Sequence, residues 1–202
     1  YHDILRKYNW LTGYQPLPPR WAFGYFQSKY NFIDQTNVIE SLQGMRSQEF
    51  PVDAVVHDLG WFNQMGDFEW SKERFPRVVD MLDSLMKIGI KTVLISECYV
   101  SHESKNFEDA KTKKLFTQND SGNLDTTLIL YTKMFLLDFT NDSTLSWIWN
   151  KYKANILPGI GGWWFDLGEP DLHNWMINHK LDIGYNVHNI YCGPCLSGFH
   201  FV

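Results

Sequence analysis

The stretch Gly161-Gly162-Trp163-Trp164-Phe165-Asp166-Leu167-Gly168-Glu169-Pro170 runs from apolar residues into a carboxylate and then a turn. Gly162 to Phe165 reads as a short buried strand, with Asp166 at its C-terminal tip and Gly168-Glu169-Pro170 as the turn. Taking a charge out of water is costly, so a buried Asp is normally paired or functional. The competing reading is an Asp that caps the next element or braces the turn, since Asp is common in both places. Cys192-Gly193-Pro194-Cys195 is a second stretch with chemical potential, because it matches a redox dithiol motif. That motif needs a strand before it, a helix after it and a complete small α/β fold, and only seven residues follow Cys195. A metal there would need two ligands beyond the two thiolates, with His188 and His200 converging, so no metal is expected.

The elements that position Asp166 follow from periodicity and punctuation. Tyr8 to Gly13 closes a short helix, and Pro16, Pro18 and Pro19 impose an extended approach. Trp21 to Phe26 reads as the first strand, with Gln27-Ser28-Lys29-Tyr30 as its polar exit. Asp34 caps a helix to about Ser47 with Val38, Ile39, Leu42 and Met45 on one face. Val52 to His57 is a second strand that exits through Asp58. Pro76 opens a helix with a stripe of Val78, Val79, Leu82, Leu85 and Met86, and Gly89 stops it. Lys91 to Ser96 is a third strand, followed by Glu97. Residues 101–132 read as a long polar loop with a short helix near Glu108 to Phe116, and Met134 to Phe139 as a short strand. Asn141, Asp142 or Ser143 caps a helix with Leu145, Ile148, Trp149, Tyr152 and Ile156 inward, and the Asp166 strand follows.

Alternating strands and helices make a parallel sheet with right-handed crossovers. Polar residues cluster after the strands, at Gln27, Asp58, Glu97 and Asp166, where a β/α barrel or a doubly wound sheet builds its site. No Gly-x-Gly-x-x-Gly follows the first strand, so nucleotide binding has no support. The 202 residues allow one ordinary domain or part of a larger one. With 44% hydrophobic and 20% charged residues the chain can build a core. Nine Trp supply flat surfaces that suit sugar rings as well as cores. The net charge of −5 and the lack of a basic stripe argue against nucleic acid. No apolar stretch approaches the roughly 20 residues of a membrane span. Three cysteines suggest no disulfide framework. Tyr1-His2-Asp3 reads as mid-chain without a signal-peptide pattern, which leaves the compartment open.

Several segments, in order, resemble the catalytic barrel of glycoside hydrolase family 31, the retaining α-glycosidases (α-glucosidases, α-xylosidases and relatives). Leu11-Thr12-Gly13 through Pro18-Pro19-Arg20-Trp21-Ala22-Phe23-Gly24 is similar to the entry to that family's first barrel strand, and Gln27-Ser28-Lys29-Tyr30 to its exit. Val52-Asp53-Ala54-Val55-Val56-His57-Asp58 resembles the second strand. Phe75-Pro76 and Gly89-Ile90-Lys91-Thr92 resemble the next helix and third strand, and Leu137-Asp138-Phe139-Thr140-Asn141 the segment before the third helix. Trp164-Phe165-Asp166-Leu167-Gly168-Glu169-Pro170 resembles the nucleophile signature in the Leu-Gly-Glu-Pro form of one subgroup.

The resemblance implies a partial (β/α)8 TIM barrel of about four β/α units. It implies Asp166 as nucleophile, Asp58 as the residue that binds hydroxyls of the sugar at the −1 subsite, and Trp164 as the aromatic wall beside the nucleophile. Trp61 lines the site or serves the core, and both readings stay open. Glu169 is expected to steady the nucleophile loop. Glu97 contacts either substrate or protein. The implied substrate is a terminal α-linked glucose or xylose residue in an oligosaccharide or glycoside, with no cofactor and no metal.

The match also has gaps. The family's general acid/base lies on a later strand, and the 36 residues after Asp166 offer no candidate, since Asp171 is too near the nucleophile and Asp182 lies in a polar loop. The expected layout is therefore a linker from an upstream domain over 1–20, the N-terminal half of the barrel over 21–191, and an atypical tail over 192–202, read as out of frame or from an incomplete gene. A half-barrel exposes its sheet edges, so little hydrolysis and possible self-association are expected, with an inactive or merely sugar-binding remnant as the alternative.

Overall fold

The computed structural model describes residues 1–30, 32–129, 132–170 and 174–193. Helix α1 (His2–Thr12) buries no residue and ends at Gly13, whose φ of 93° suits a residue without a Cβ. A short 3-10 turn over Arg20–Phe23 leads into β1 (Phe26–Lys29). Then come α2 (Gln35–Ser47), β2 (Ala54–His57), α3 (Val78–Lys87) and β3 (Lys91–Glu97). An excursion follows: β4 (Tyr99–Ser101), α4 (Phe107–Thr112), β5 (Thr127–Ile129) and β6 (Thr132–Leu136). Helix α5 (Asp142–Lys153), strand β7 (Ile160–Asp166), the short α6 (Gly184–Val187) and a 3-10 turn over His188–Ile190 follow among the described residues.

Strands β1, β2, β3 and β7 form one parallel sheet in that order, which is the partial β/α barrel expected. Successive side chains alternate between its two faces. Val55, Leu94 and Trp163 turn outward toward the helices, as does Ser96, whose hydroxyl meets Tyr152 Oη of α5 at 2.5 Å. Val56, Val93, Ile95, Trp164, Glu97 and Asp166 turn to the inner face. The outer layer is the core: α2 buries Val38 and Leu42, α3 buries Met81, Leu82 and Leu85, and α5 buries Trp147, Ile148 and Tyr152. Two caps fix the helix starts. Asp34 accepts from Asn37 N–H at 2.8 Å, and Asn141 from Ser143 N–H at 3.1 Å.

Four expectations are corrected. The first strand is not Trp21–Phe26 but Phe26–Lys29, the stretch read as its polar exit. Trp21 is drawn instead across the start of β7, where a Cβ on Gly161 would come within 2.9 Å of its ring. Val79 is 60% and Ile156 57% exposed, so neither joins its helix's buried stripe; Met81 takes the inward place on α3. The polar stretch after β3 is not a long loop, because β4, β6 and β5 pair antiparallel into a second sheet. Strand β7 is only half-buried, being an edge of the parallel sheet.

His57, at the end of β2, is sealed in the outer layer with neither ring nitrogen bonded. It packs edge-on against Trp70 and Phe75, and burial pushes its pKa down to about 3, so the ring is neutral. Asp171, Cys195 and the tail from residue 194 lie outside the described residues.

Candidate active site

Two strands end in carboxylates on the same rung, and a third carboxylate follows a neighbouring strand. Asp166 is the last residue of β7 and Glu97 the last of β3, and the two are partners in the final rung of the ladder between them. Asp58 follows β2, on the other side of β3. Its carboxylate accepts from Leu59 N–H at 2.7 Å and so caps the 3-10 turn Leu59–Trp61. The cap engages one oxygen, and a carboxylate has a second to offer.

The three groups feel one another. Burial raises the pKa of Asp58; the Leu59 N–H works the other way, and the Asp166 charge adds to the rise. Glu97 is only 6% exposed, and burial pushes it up to about 7, helped by the charges of Asp166 and Asp58. Its Oε2 is buried without a hydrogen-bond partner.

Beside these tips lies a cavity of about 490 Å³ lined by Glu97, Phe165, Asp166, Glu169 and His188, with no Lys or Arg among the described residues. The loop after Asp166 turns through Leu167, a non-glycine residue at φ 51°. Two thiols grip its backbone: Cys98 Sγ–H donates to Leu167 O at 3.1 Å and Cys192 Sγ–H to Gly168 O at 2.8 Å. Glu169, expected to steady this loop, stands exposed on the cavity rim. Trp164 is 36% exposed on the inner face, two residues before Asp166, where it lines a hollow with Trp21, Phe26 and Val56. Trp61 is not brought to that face. It is 1% exposed, packs on Trp70 and Trp163, and donates Nε1–H to Ile95 O at 3.0 Å, so its surroundings describe a core residue.

A second polar cluster went unseen in the sequence. Asp138 is buried, which alone would raise its pKa, but His179 Nδ1 at 3.1 Å, Thr140 Oγ1 at 2.6 Å and Lys180 N–H at 2.6 Å hold it below the usual carboxylate range. It ties residues 179–180 to the end of the second sheet. Its sequence signal was the Leu137-Asp138-Phe139 run, a charge between apolar neighbours. Among the described residues, no group of three or more His, Cys, Asp or Glu side chains is arranged to hold a metal ion.

A barrel sheet with carboxylates at its strand ends is shared by many enzymes, so fold alone does not name a chemistry. The model of the Glycosyl hydrolases family 31 TIM-barrel domain matches residues 15–195. The chain belongs to glycosyl hydrolase family 31. It is 30% identical over 174 residues to alpha-glucosidase 2 of Bacillus thermoamyloliquefaciens, covering 85% of this chain and 22% of that protein. It is 27% identical over 199 residues to an alpha-xylosidase of Saccharolobus solfataricus, covering 94% of this chain and 25% of that one. The chain therefore spans about a quarter or less of these relatives' length. In fold it is similar to the Flavobacterium johnsoniae GH31 dextranase complexed with glucose, with a TM-score of 0.89 over 96% of this chain and 25% of the other, at 22% identity.

Proposed function

We propose that this family 31 chain carries the nucleophile side of a retaining α-glycosidase site that takes terminal α-linked glucose or xylose. The observation that supports this most directly is the placement of Asp166 at the tip of β7, on the same rung as Glu97, with its charge felt at Asp58 and with Trp164 two residues before it on the inner face. In this reading an Asp166 oxygen attacks the anomeric carbon, the bond from that carbon to the leaving oxygen breaks, and a glycosyl ester forms. The departing oxygen takes a proton from a general acid, and water later cleaves the ester. Asp58 holds sugar hydroxyls with the oxygen not engaged by Leu59 N–H, and Trp164 offers its ring face to the sugar's C–H surface.

An aryl leaving group as acidic as dinitrophenolate departs without acid help, so a dinitrophenyl α-glucoside isolates what this chain supplies. Turnover above background that falls about 10⁴-fold in Asp166→Ala supports the reading. Glucose or xylose binding without turnover favours the alternative, a sugar-binding piece that does no chemistry.

A further inference from the structure

Glu97 has no role in the mechanism above, yet it stands at the centre of the carboxylate row. Strand order places it between Asp58, just past β2, and Asp166 on β7. Partners in a parallel ladder point to the same face from strands about 4.8 Å apart, so the Glu97 and Asp166 side chains leave the sheet side by side. Glu97 is also the most deeply covered of the three, and its Oε2 has no donor to satisfy it. The charges it feels are those of Asp166 and Asp58, and the titratable groups that line the same cavity are Glu169 from the loop after β7, His188 and Cys192 from the segment after α6, Tyr152 from α5, and Cys98 just past its own strand. An ionised Glu97 would be a buried charge flanked by two like charges. A proton on Glu97 removes that repulsion.

We propose that Glu97 is a positioning residue for Asp166: it stays protonated and donates its Oε2–H to the Asp166 oxygen that does not attack. This rests on the reading of Asp166 as nucleophile. The bond would fix the Asp166 rotamer and leave the attacking oxygen free toward the sugar. In the second half-reaction the same donor would stabilise the carboxylate as it leaves the anomeric carbon. The proton stays on Glu97 throughout, so no acid or base is consumed. Loss of that proton near pH 7 would set a second charge beside Asp166 and push the two groups apart.

The test is a side-chain carboxyl carbon-13 NMR titration of the full 202-residue chain without sugar. Glu97 is assigned by the resonance lost in Glu97→Gln, or, if that variant does not fold, by the one displaced in Glu97→Asp. The expected result is a Glu97 carboxyl titrating within about one unit of 7, with a midpoint that falls by about one unit or more in Asp166→Asn. A midpoint in the ordinary glutamate range, or one indifferent to Asp166→Asn, overturns the proposal. The titration needs no turnover, so it is separable from the nucleophile reading. Coupling without glycosyl transfer would remove the nucleophile role and keep the pair, and transfer without coupling would do the reverse.

Discussion

At the scale of single residues, two buried titratable groups pull stability in opposite directions with pH. Glu97 has a raised pKa, so from about 4.5 to about 7 the folded chain holds a proton the unfolded chain has lost. Its contribution is full below that window and is lost as pH rises through it. His57 is depressed from 6.5 to about 3, so its contribution is full above 6.5 and is lost as pH falls toward 3. Where the windows overlap the two slopes cancel. Glu97→Gln should therefore expose the His57 slope alone, with stability rising about 1.4 kcal/mol per pH unit between pH 4.5 and 6.5 in urea titrations. A parent that already rises as steeply as the variant over that range would mean that Glu97 titrates normally. The strand-end placement of Asp166 and Asp58 was legible in the sequence because each follows an apolar run that ends at a turn. The Glu97–Asp166 rung was not, since it depends on register between strands more than 60 residues apart. Trp61 shows the opposite limit: its sequence position left a site lining and a core role equally open, and only the structure places its indole N–H on Ile95 O.

At the scale of elements, caps and helical stripes read true where one face alone is buried. Asp34 and Asn141 both cap as their residue types suggest. Replacing Asn141 with Ala should cost about 1 kcal/mol, read from the shift in urea midpoint. Leu42→Ala, on the fully buried face of α2, should cost about 2–5 kcal/mol. An effect below about 1 kcal/mol at Leu42 would contradict the packing of α2 on the sheet. Strand edges were harder to read. The aromatic run Trp21–Phe26 has strand propensity, but its first residues curl into a 3-10 turn that seats Trp21 against Gly161, and pairing starts only at Phe26. Strands β4 and β5 are three residues each, too short to show alternation, and their pairing with β6 is what defines them.

At the scale of the whole molecule, the parallel sheet has two edges, β1 and β7, and an inner face where Phe26 is 38% and Trp164 36% exposed. Unpaired edges and uncovered aromatic surface favour association. We expect the 202-residue chain to sediment as a concentration-dependent dimer or larger species, and Trp164→Lys to shift it toward monomer. A monomer at all concentrations would contradict this. No helix among the described residues is long and apolar enough to cross a membrane. Fold class was legible because strand–helix alternation survives the excursion between β3 and α5. What covers the inner face was not, because the chain spans only 22% and 25% of the two relatives described above.

The central claim is that Asp166 forms a bond to the anomeric carbon. The most direct measurement is intact-protein and peptide mass spectrometry after incubation with an α-glucosyl fluoride bearing a second fluorine on the ring. The first fluoride leaves without an acid, and the second slows cleavage of the ester that forms. The account predicts one added fluoroglucosyl group, mapped to Asp166 and absent in Asp166→Ala. No adduct, or an adduct on Glu97, Asp58 or Glu169, would contradict it.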